Sequence, residues 1–274
     1  MGIEQILALI ATGIGVGFAS GLLGVGGCFI MVPVQYWVLV SIGIDPTIAI
    51  RTAFGTNLLV VLPTAAMGAL AHSRKGAVVW RAAVVLGISG AVGAFGGGWI
   101  ASHLPGEVLK VAFGAAVVLG ALRMITAKPP RIEPNPVTNT SALVAWGLVM
   151  GVVSGIIGIG GGVLMVPVMV FFLRFGMHQA VGTSTALMIF TAAGGALAYL
   201  FNGLGVQGLA PYSTGYLNWL QWILLAGCSI PMARVGAWAA HKLPAAKLKW
   251  IFIAVMTYMG LKMMGVFSWL GLPI

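Results

Sequence analysis

The sequence contains few charged residues. Only 7% of its 274 residues are Asp, Glu, Lys or Arg, whereas soluble domains carry about 25%. Two stretches of 40 residues, 5–44 and 134–173, contain no charged residue at all. Hydrophobic residues make up 60% of the chain, and one bilayer crossing takes roughly 20 apolar residues as a helix. The composition excludes a soluble domain and predicts a polytopic membrane protein with material for about eight to ten crossings.

The chain also lacks the side chains on which membrane enzymes and metal sites depend. The two cysteines, Cys28 and Cys228, lie in apolar stretches, so no disulfide framework is expected. The four histidines fall at predicted loop ends without metal-ligand spacing. No carboxylate lies in the middle of an apolar segment, where hydrolytic chemistry would need a base. We therefore predict a protein that is not an enzyme and that uses no metal or other cofactor.

Basic residues outnumber acidic ones, 14 to 4, which gives a formal net charge of +10. In a soluble protein this excess would indicate a nucleic-acid partner. In a membrane protein Lys and Arg collect in the cytoplasmic loops. We therefore expect the lipid bilayer, and not nucleic acid, as the partner of these charges.

The chain contains an internal repeat. The sequence GFASGLLGVGGCFIMVPV at 17–34 matches GVVSGIIGIGGGVLMVPV at 151–168. The proline-rich segment 127–139 between the two halves is typical of a linker. We predict a single transmembrane domain, with repeat one at residues 1–134 and repeat two at 135–274. Further matches keep the same order: Gly55-Thr56-Asn57 with Gly182-Thr183-Ser184, TAAMGALA from Thr64 with TAAGGALA from Thr191, and Trp99 and Leu104-Pro105 with Trp238 and Leu243-Pro244.

Each uncharged stretch is too long for one crossing. As a single helix it would measure about 60 Å, twice the thickness of the hydrocarbon core, and the repeated glycine motif lies in its middle. The stretch therefore breaks at the motif, and it either continues across or returns as a hairpin.

The distribution of basic residues favours the hairpin. Simple crossings divide them seven to six between the two sides, whereas hairpins divide them ten to three, as the positive-inside rule requires. We predict an all-α polytopic membrane protein of two inverted repeats, each a broken helical hairpin plus three transmembrane helices, with both termini outside. The alternative is a plain eight-helix protein with parallel repeats. In the hairpin arrangement the side that holds three carries Arg51, Lys110 and Lys262, and Arg234 is left out because it lies within a span.

The repeated motif predicts an anion site without a charged side chain. A helix that restarts at Gly27-Cys28 or at Gly161-Gly162 presents unpaired backbone N–H groups and the positive end of its dipole. In an inverted pair, two such ends can face one another. Close packing of small residues between helices is the alternative reading of the same glycines.

Polar residues near the two breaks are the candidate substrate ligands. The threonine and serine hydroxyls among them can equally bond within their own helix, the thiol of Cys28 can be a small apolar group, and Arg234 can extend to the interface. The candidates are Ser20, Gly24, Gly26, Gly27, Cys28, Thr56 and Asn57 in repeat one, and Ser154, Gly158, Gly160, Gly161, Gly162, Thr183, Ser184 and Arg234 in repeat two.

These motifs resemble those of the TauE/SafE family, also called the sulfite exporter or toluene-sulfonate uptake permease family. The resemblance rests on SGLLGVGG and SGIIGIGGG, each followed by Val-Pro, on GALAHSRKG at 68–76 and on ARVGAWAAHKLP at 233–244. Where the family has a third consecutive glycine, the first copy has Cys28. The resemblance implies a secondary transporter of a small sulfur-containing anion, such as sulfite, a sulfonate or thiosulfate, in a prokaryotic inner membrane. An anion channel, or a transporter of a non-sulfur organic anion, is the alternative.

Overall fold

The computed structural model describes residues 2–23, 28–126, 139–239 and 245–269, and these ranges are mostly helical. Five of their helices are long and apolar enough to cross a membrane, and shorter apolar helices accompany them. The predicted all-α polytopic membrane fold is confirmed. The helices are α1 (Ile3–Leu23), α2 (Cys28–Ser41), α3 (Pro46–Arg74), α4 (Trp80–His103), α5 (Gly106–Thr126), α6 (Thr140–Ile157), α7 (Gly162–Phe171), α8 (Met177–Asn202), α9 (Trp219–Ala239), α10 (Ala245–Met263) and α11 (Val266–Trp269).

Local sequence signals fix where two of the long helices begin. The Asp45 carboxylate accepts hydrogen bonds from the N–H groups of Thr47 and Ile48, at 2.8 and 3.2 Å, and Pro46 occupies the first helical position of α3. The Asn139 side chain accepts from the Ser141 N–H at 3.1 Å and begins α6 in the same way. Such caps satisfy N–H groups that have no partner inside the helix.

Helices of one half pack closely against helices of the other half. Gly93 of α4 lies against the Leu148 carbonyl of α6, and Gly97, one turn later in α4, lies against the Val152 carbonyl, one turn later in α6, so these helices run in parallel. In the same way α1 runs parallel to α9, where Gly13 contacts Leu225 and Gly17 contacts Ser229. Small residues allow the backbones of membrane helices to approach this closely.

Two pairs of helices that correspond in the repeat instead run antiparallel. Gly195 of α8 lies against Leu58 of α3, and ten residues further along α3, Gly68 lies against Thr185, ten residues earlier in α8. Gly114 of α5 contacts Met264, just beyond the end of α10, and Gly260 of α10 contacts Val118 of α5. The α3–α8 pair occupies the centre of the bundle and contributes much of its largest apolar core.

Both opening stretches return to the side on which they start. In the first half, Gln5 near the start of α1 donates a hydrogen bond to Ser41 at the end of α2, at 3.4 Å. In the second half, Met169 of α7 lies in a cluster with residues from the starts of α4, α6 and α8, namely Ala82, Leu143 and Ala180. In the described residues each half therefore begins with a helical hairpin, which α3, α4 and α5 follow in the first half and α8, α9, α10 and the short α11 follow in the second.

A two-stranded ribbon joins α8 to α9. Strand β1 (Ser213–Thr214) pairs antiparallel with β2 (Leu217–Asn218), and Asn218 donates to the Pro211 carbonyl and to the Ser213 hydroxyl, at 3.0 and 2.9 Å. The ribbon places Tyr216 and Asn218 against the first half of α3, where they form hydrogen bonds with Arg51 and Thr56.

We expect Gly97→Val to separate α4 from α6. A Cβ at Gly97 would overlap the Val152 carbonyl, whereas one at the neighbouring Gly96 would meet nothing within 4 Å. Overpacking of this kind costs about 1–3 kcal/mol. The thermal stability of both variants in detergent measures the difference, and equal stability of Gly97→Val and Gly96→Val would contradict the close α4–α6 contact.

Candidate functional site

The second glycine motif interrupts the helical backbone between α6 and α7, inside the bundle. Gly158, Gly160 and Gly161 have φ angles of 70°, 79° and 91°, the left-handed region that favours glycine. Gly158 ends α6 by donating its N–H to the Ser154 carbonyl at 2.9 Å. The glycines of the second copy therefore serve the special backbone conformation that the sequence indicated.

Three side chains from three helices hold the carbonyl groups of the break. Asn57 of α3 donates its amide to the Gly158 carbonyl at 2.7 Å. The Cys28 thiol, at the start of α2, donates to the Ile159 carbonyl at 3.1 Å. Thr191 of α8 donates its hydroxyl to the Gly160 carbonyl at 2.8 Å. Consecutive carbonyl groups of a buried break are thus satisfied, as buried backbone polar groups require.

The contact of Cys28 brings the two repeats together. Cys28 is the first residue of α2, and its partner lies in the break that precedes α7. Two helix N-termini, one from each repeat, therefore lie near each other in the interior. Cys28 is 3% exposed, so its thiol is buried.

The N-terminus of α7 has backbone donors without a cap. Its N-cap residue is Gly161, which offers no side-chain acceptor, and the first α-helical bond is donated by Met165 to the Gly161 carbonyl. The N–H groups before Met165 have no partner within the helix. The hydroxyl of Ser154 is fully buried with no partner among the described residues, and lies 3.5 Å from the Cβ position of Gly161.

Thr56 and Thr183, at equivalent positions of the repeat, form hydrogen bonds that link the two repeats. The Thr56 hydroxyl accepts from the Asn218 N–H at 2.9 Å, just before α9, and the Thr183 hydroxyl accepts from the Val79 N–H at 3.0 Å, just before α4. Ser184 donates to the Val181 carbonyl of its own helix at 2.9 Å. Thr183 lies eight residues before Thr191 in α8, about 12 Å along the helix. The structure does not bring Thr183 and Ser184 to the break, and substrate contact by Thr56, Thr183 and Ser184 stays a prediction.

Several expected ligands lie outside the part of the chain that the structure describes. Gly24, Gly26 and Gly27 lie outside the described residues, and so do the side chains of Ser20 in α1 and Arg234 in α9. Within the described ranges, no three His, Cys, Asp or Glu side chains are grouped as metal ligands.

Two buried glutamines were not among the expected ligands. Gln35 of α2 and Gln221 of α9 are both fully buried, and their side-chain amides have no partner among the described residues. The repeat alignment pairs them with Met169 and Ala82, which pack in an apolar cluster. The signal was therefore present in the sequence as a difference between the two repeats.

A polytopic helical bundle with a broken helix in its interior is a recurrent architecture among membrane transporters. Comparison with known proteins gives the family. The family model described as sulfite exporter TauE/SafE matches residues 9–263, and the chain belongs to this family of membrane transporters.

Its relatives carry general names. A probable membrane transporter protein of Haemophilus influenzae is 28% identical over 247 residues, covering 89% of this chain and 92% of the relative. One of Xylella fastidiosa is 35% identical over 192 residues, covering 67% and 70%. One of Methanocaldococcus jannaschii is 25% identical over 265 residues, covering 93% and 94%. No solved structure gives a significant match.

We expect Gln35→Met to raise the free energy of unfolding by about 1 kcal/mol, because a buried amide without a partner costs stability and Met fills a similar volume. The reciprocal change at the repeat-equivalent position, Met169→Gln, should lower it, since Met169 is fully buried among apolar residues. Denaturation monitored in detergent measures both. A loss of stability in Gln35→Met would show that this amide has a bound partner, such as water or a ligand.

Proposed function

We propose that the protein is a secondary transporter that moves a small sulfur-containing anion across the inner membrane by alternating access. The family description names sulfite export, which supports the sulfur anion. Sulfite, sulfonates and thiosulfate are proposed together because each carries negatively charged oxygen atoms, which the N–H groups at the break would bind. The protein then acts as a carrier and not as an enzyme.

The observation that carries this proposal is the uncapped N-terminus of α7 beside Ser154. Backbone N–H groups at a helix N-terminus bind oxyanions, and the helix dipole adds to the attraction. The unpartnered, fully buried Ser154 hydroxyl gives a further donor at the same place. The start of α2 at Cys28, which contacts the same break, brings a second positive helix end towards it.

We further propose that repeat one, residues 1–134, and repeat two, residues 135–274, are inverted in the membrane. The antiparallel packing of α3 with α8 and of α5 with α10 supports this, because a twofold axis in the membrane plane reverses corresponding helices. Both termini then lie outside, with the side richer in Lys and Arg in the cytoplasm. Rocking of the two hairpins about the breaks would expose the site to each side in turn.

Two other functions suit the same site. A passive anion channel would use the same helix ends, and a transporter of a non-sulfur organic anion would recognise a carboxylate there. Saturation of flux separates a carrier from a channel, and competition between anions separates the substrate classes.

Flux into proteoliposomes that contain the purified full chain tests the proposal. Sulfite, thiosulfate and methanesulfonate are offered separately, with Gly160→Leu as the inactive control, since a side chain at a φ of 79° is strained. Saturable flux of one anion, lost in the control, is the expected result. Flux of a carboxylate but none of the three sulfur anions would contradict the substrate class, and non-saturating flux would contradict the carrier.

We expect Ser154→Ala to raise the half-saturating anion concentration by about tenfold, because a hydrogen bond to a charged ligand is lost. The protein should fold normally, since the hydroxyl has no protein partner among the described residues. Ser89→Ala is the matched control, because the Ser89 hydroxyl is bonded to the Val85 and Leu86 carbonyls of its own helix. An unchanged half-saturating concentration in Ser154→Ala would place the anion elsewhere.

A further inference from the structure

Arg51 is a partly buried cation near the start of the membrane helix α3. Its guanidinium donates to the Tyr216 hydroxyl at 3.2 Å and to the Leu104 carbonyl at 2.9 Å, and it lies 5.8 Å from the centroid of the Tyr216 ring. These contacts come from the β1–β2 ribbon and from the end of α4. The guanidinium is therefore held at one end of the bundle, where three segments meet.

The charge of Arg51 has no carboxylate partner within the described part of the chain. Asp45, six residues before it, caps α3 with its own carboxylate, and Glu107 pairs with Lys110 at 2.6 Å. The Nε atom of Arg51 is buried and makes no hydrogen bond with the described residues. Its hydrogen bonds to Tyr216 and Leu104 both go to neutral oxygen atoms, so the guanidinium keeps N–H donors for an anion.

Aromatic contacts link Arg51 to the break. Tyr216 lies edge-on to Tyr199, with ring centroids 6.5 Å apart, and the Tyr199 hydroxyl donates to the Gly155 carbonyl of α6 at 3.0 Å. Asn57, which holds the Gly158 carbonyl, follows Arg51 by six residues in α3, about 9 Å along the helix axis. The cation and the break thus belong to one continuous region.

The fold itself does not require a buried cation at this position. The repeat alignment that matches Gly55 with Gly182 pairs Arg51 with His178, and His178 is exposed at the start of α8. An ionisable side chain inside a membrane segment is costly and most often marks a substrate path. Arg51 therefore requires a reason other than the repeat pattern.

We propose that Arg51 is the anion-recognising residue at one mouth of the transport path, where its Nε and one Nη bind an oxyanion in bidentate fashion before the anion reaches the break. This inference rests on the proposed function, because it takes the substrate to be an anion. Guanidinium groups match the geometry of two oxygen atoms of a sulfonate or carboxylate group. The anion satisfies the unpartnered Nε and neutralises the charge.

The test compares Arg51→Gln with Lys110→Gln in the purified full chain. Both variants remove one positive charge from the same end of the bundle, but Lys110 already forms an ion pair with Glu107. Thermal stabilisation is titrated with sulfite, thiosulfate, methanesulfonate and acetate at constant ionic strength. We expect the half-saturating anion concentration to rise about tenfold or more in Arg51→Gln, because the bidentate, charge-assisted hydrogen bonds to the anion are lost. In Lys110→Gln we expect this concentration to stay unchanged.

A second measurement needs no variant. Phenylglyoxal modification of the native protein is read by mass spectrometry at Arg51, with and without the stabilising anion. We expect the anion to protect Arg51 and to leave the exposed Arg81 equally reactive. This readout remains decisive even if Arg51→Gln fails to fold.

The outcomes separate this inference from the proposed function. If a sulfur anion stabilises wild type and Arg51→Gln at the same concentration and does not protect Arg51, the role of Arg51 is overturned and the proposed function stands. If acetate alone stabilises the protein and protects Arg51, the role of Arg51 stands and the sulfur substrate is overturned. If no anion stabilises the protein or protects Arg51, both are overturned.

Discussion

The structure depends on the way in which one helix break is held in the interior. Between Gly158 and Gly161 the backbone leaves the helix, and three consecutive carbonyl groups lose their helical partners. Asn57, Cys28 and Thr191 replace those partners from three different helices. Because a buried carbonyl without a partner costs about 1–3 kcal/mol, these three side chains make the break possible at that depth, and the break in turn sets the direction of α7.

Satisfying the carbonyl groups leaves the donors free. The residues that hold the break bond to its oxygen atoms, while the start of α7 has no side-chain cap and the Ser154 hydroxyl has no partner among the described residues. The anion site that we propose therefore has no charged side chain at its centre. The charge that we propose recognises the anion lies instead at one end of the bundle, on the partly buried Arg51, and a charge there costs less than one at the centre of the bilayer.

Much of the fold could be predicted from the sequence, because the two apolar stretches and the repeated motif fixed the helix breaks. The sequence also pointed to Cys28 and Asn57, which the structure places at the break. It placed Thr183 and Ser184 there by repeat equivalence, but in the antiparallel packing of α3 and α8 this pair lies nearer the start of α8, about 12 Å along the helix from Thr191. Gln221 was missed because its significance depends on the residues of other helices that bury it, and a pattern along one segment does not reveal them.

The central claim is that a sulfur oxyanion binds at the N-terminus of α7. The most direct measurement is a structure of the purified protein determined in saturating thiosulfate, whose two sulfur atoms scatter strongly. The account predicts density for the anion within hydrogen-bonding distance of the N–H groups of 162–164 and of the Ser154 hydroxyl. Bound anion elsewhere in the bundle, with the start of α7 in contact only with protein, would contradict it.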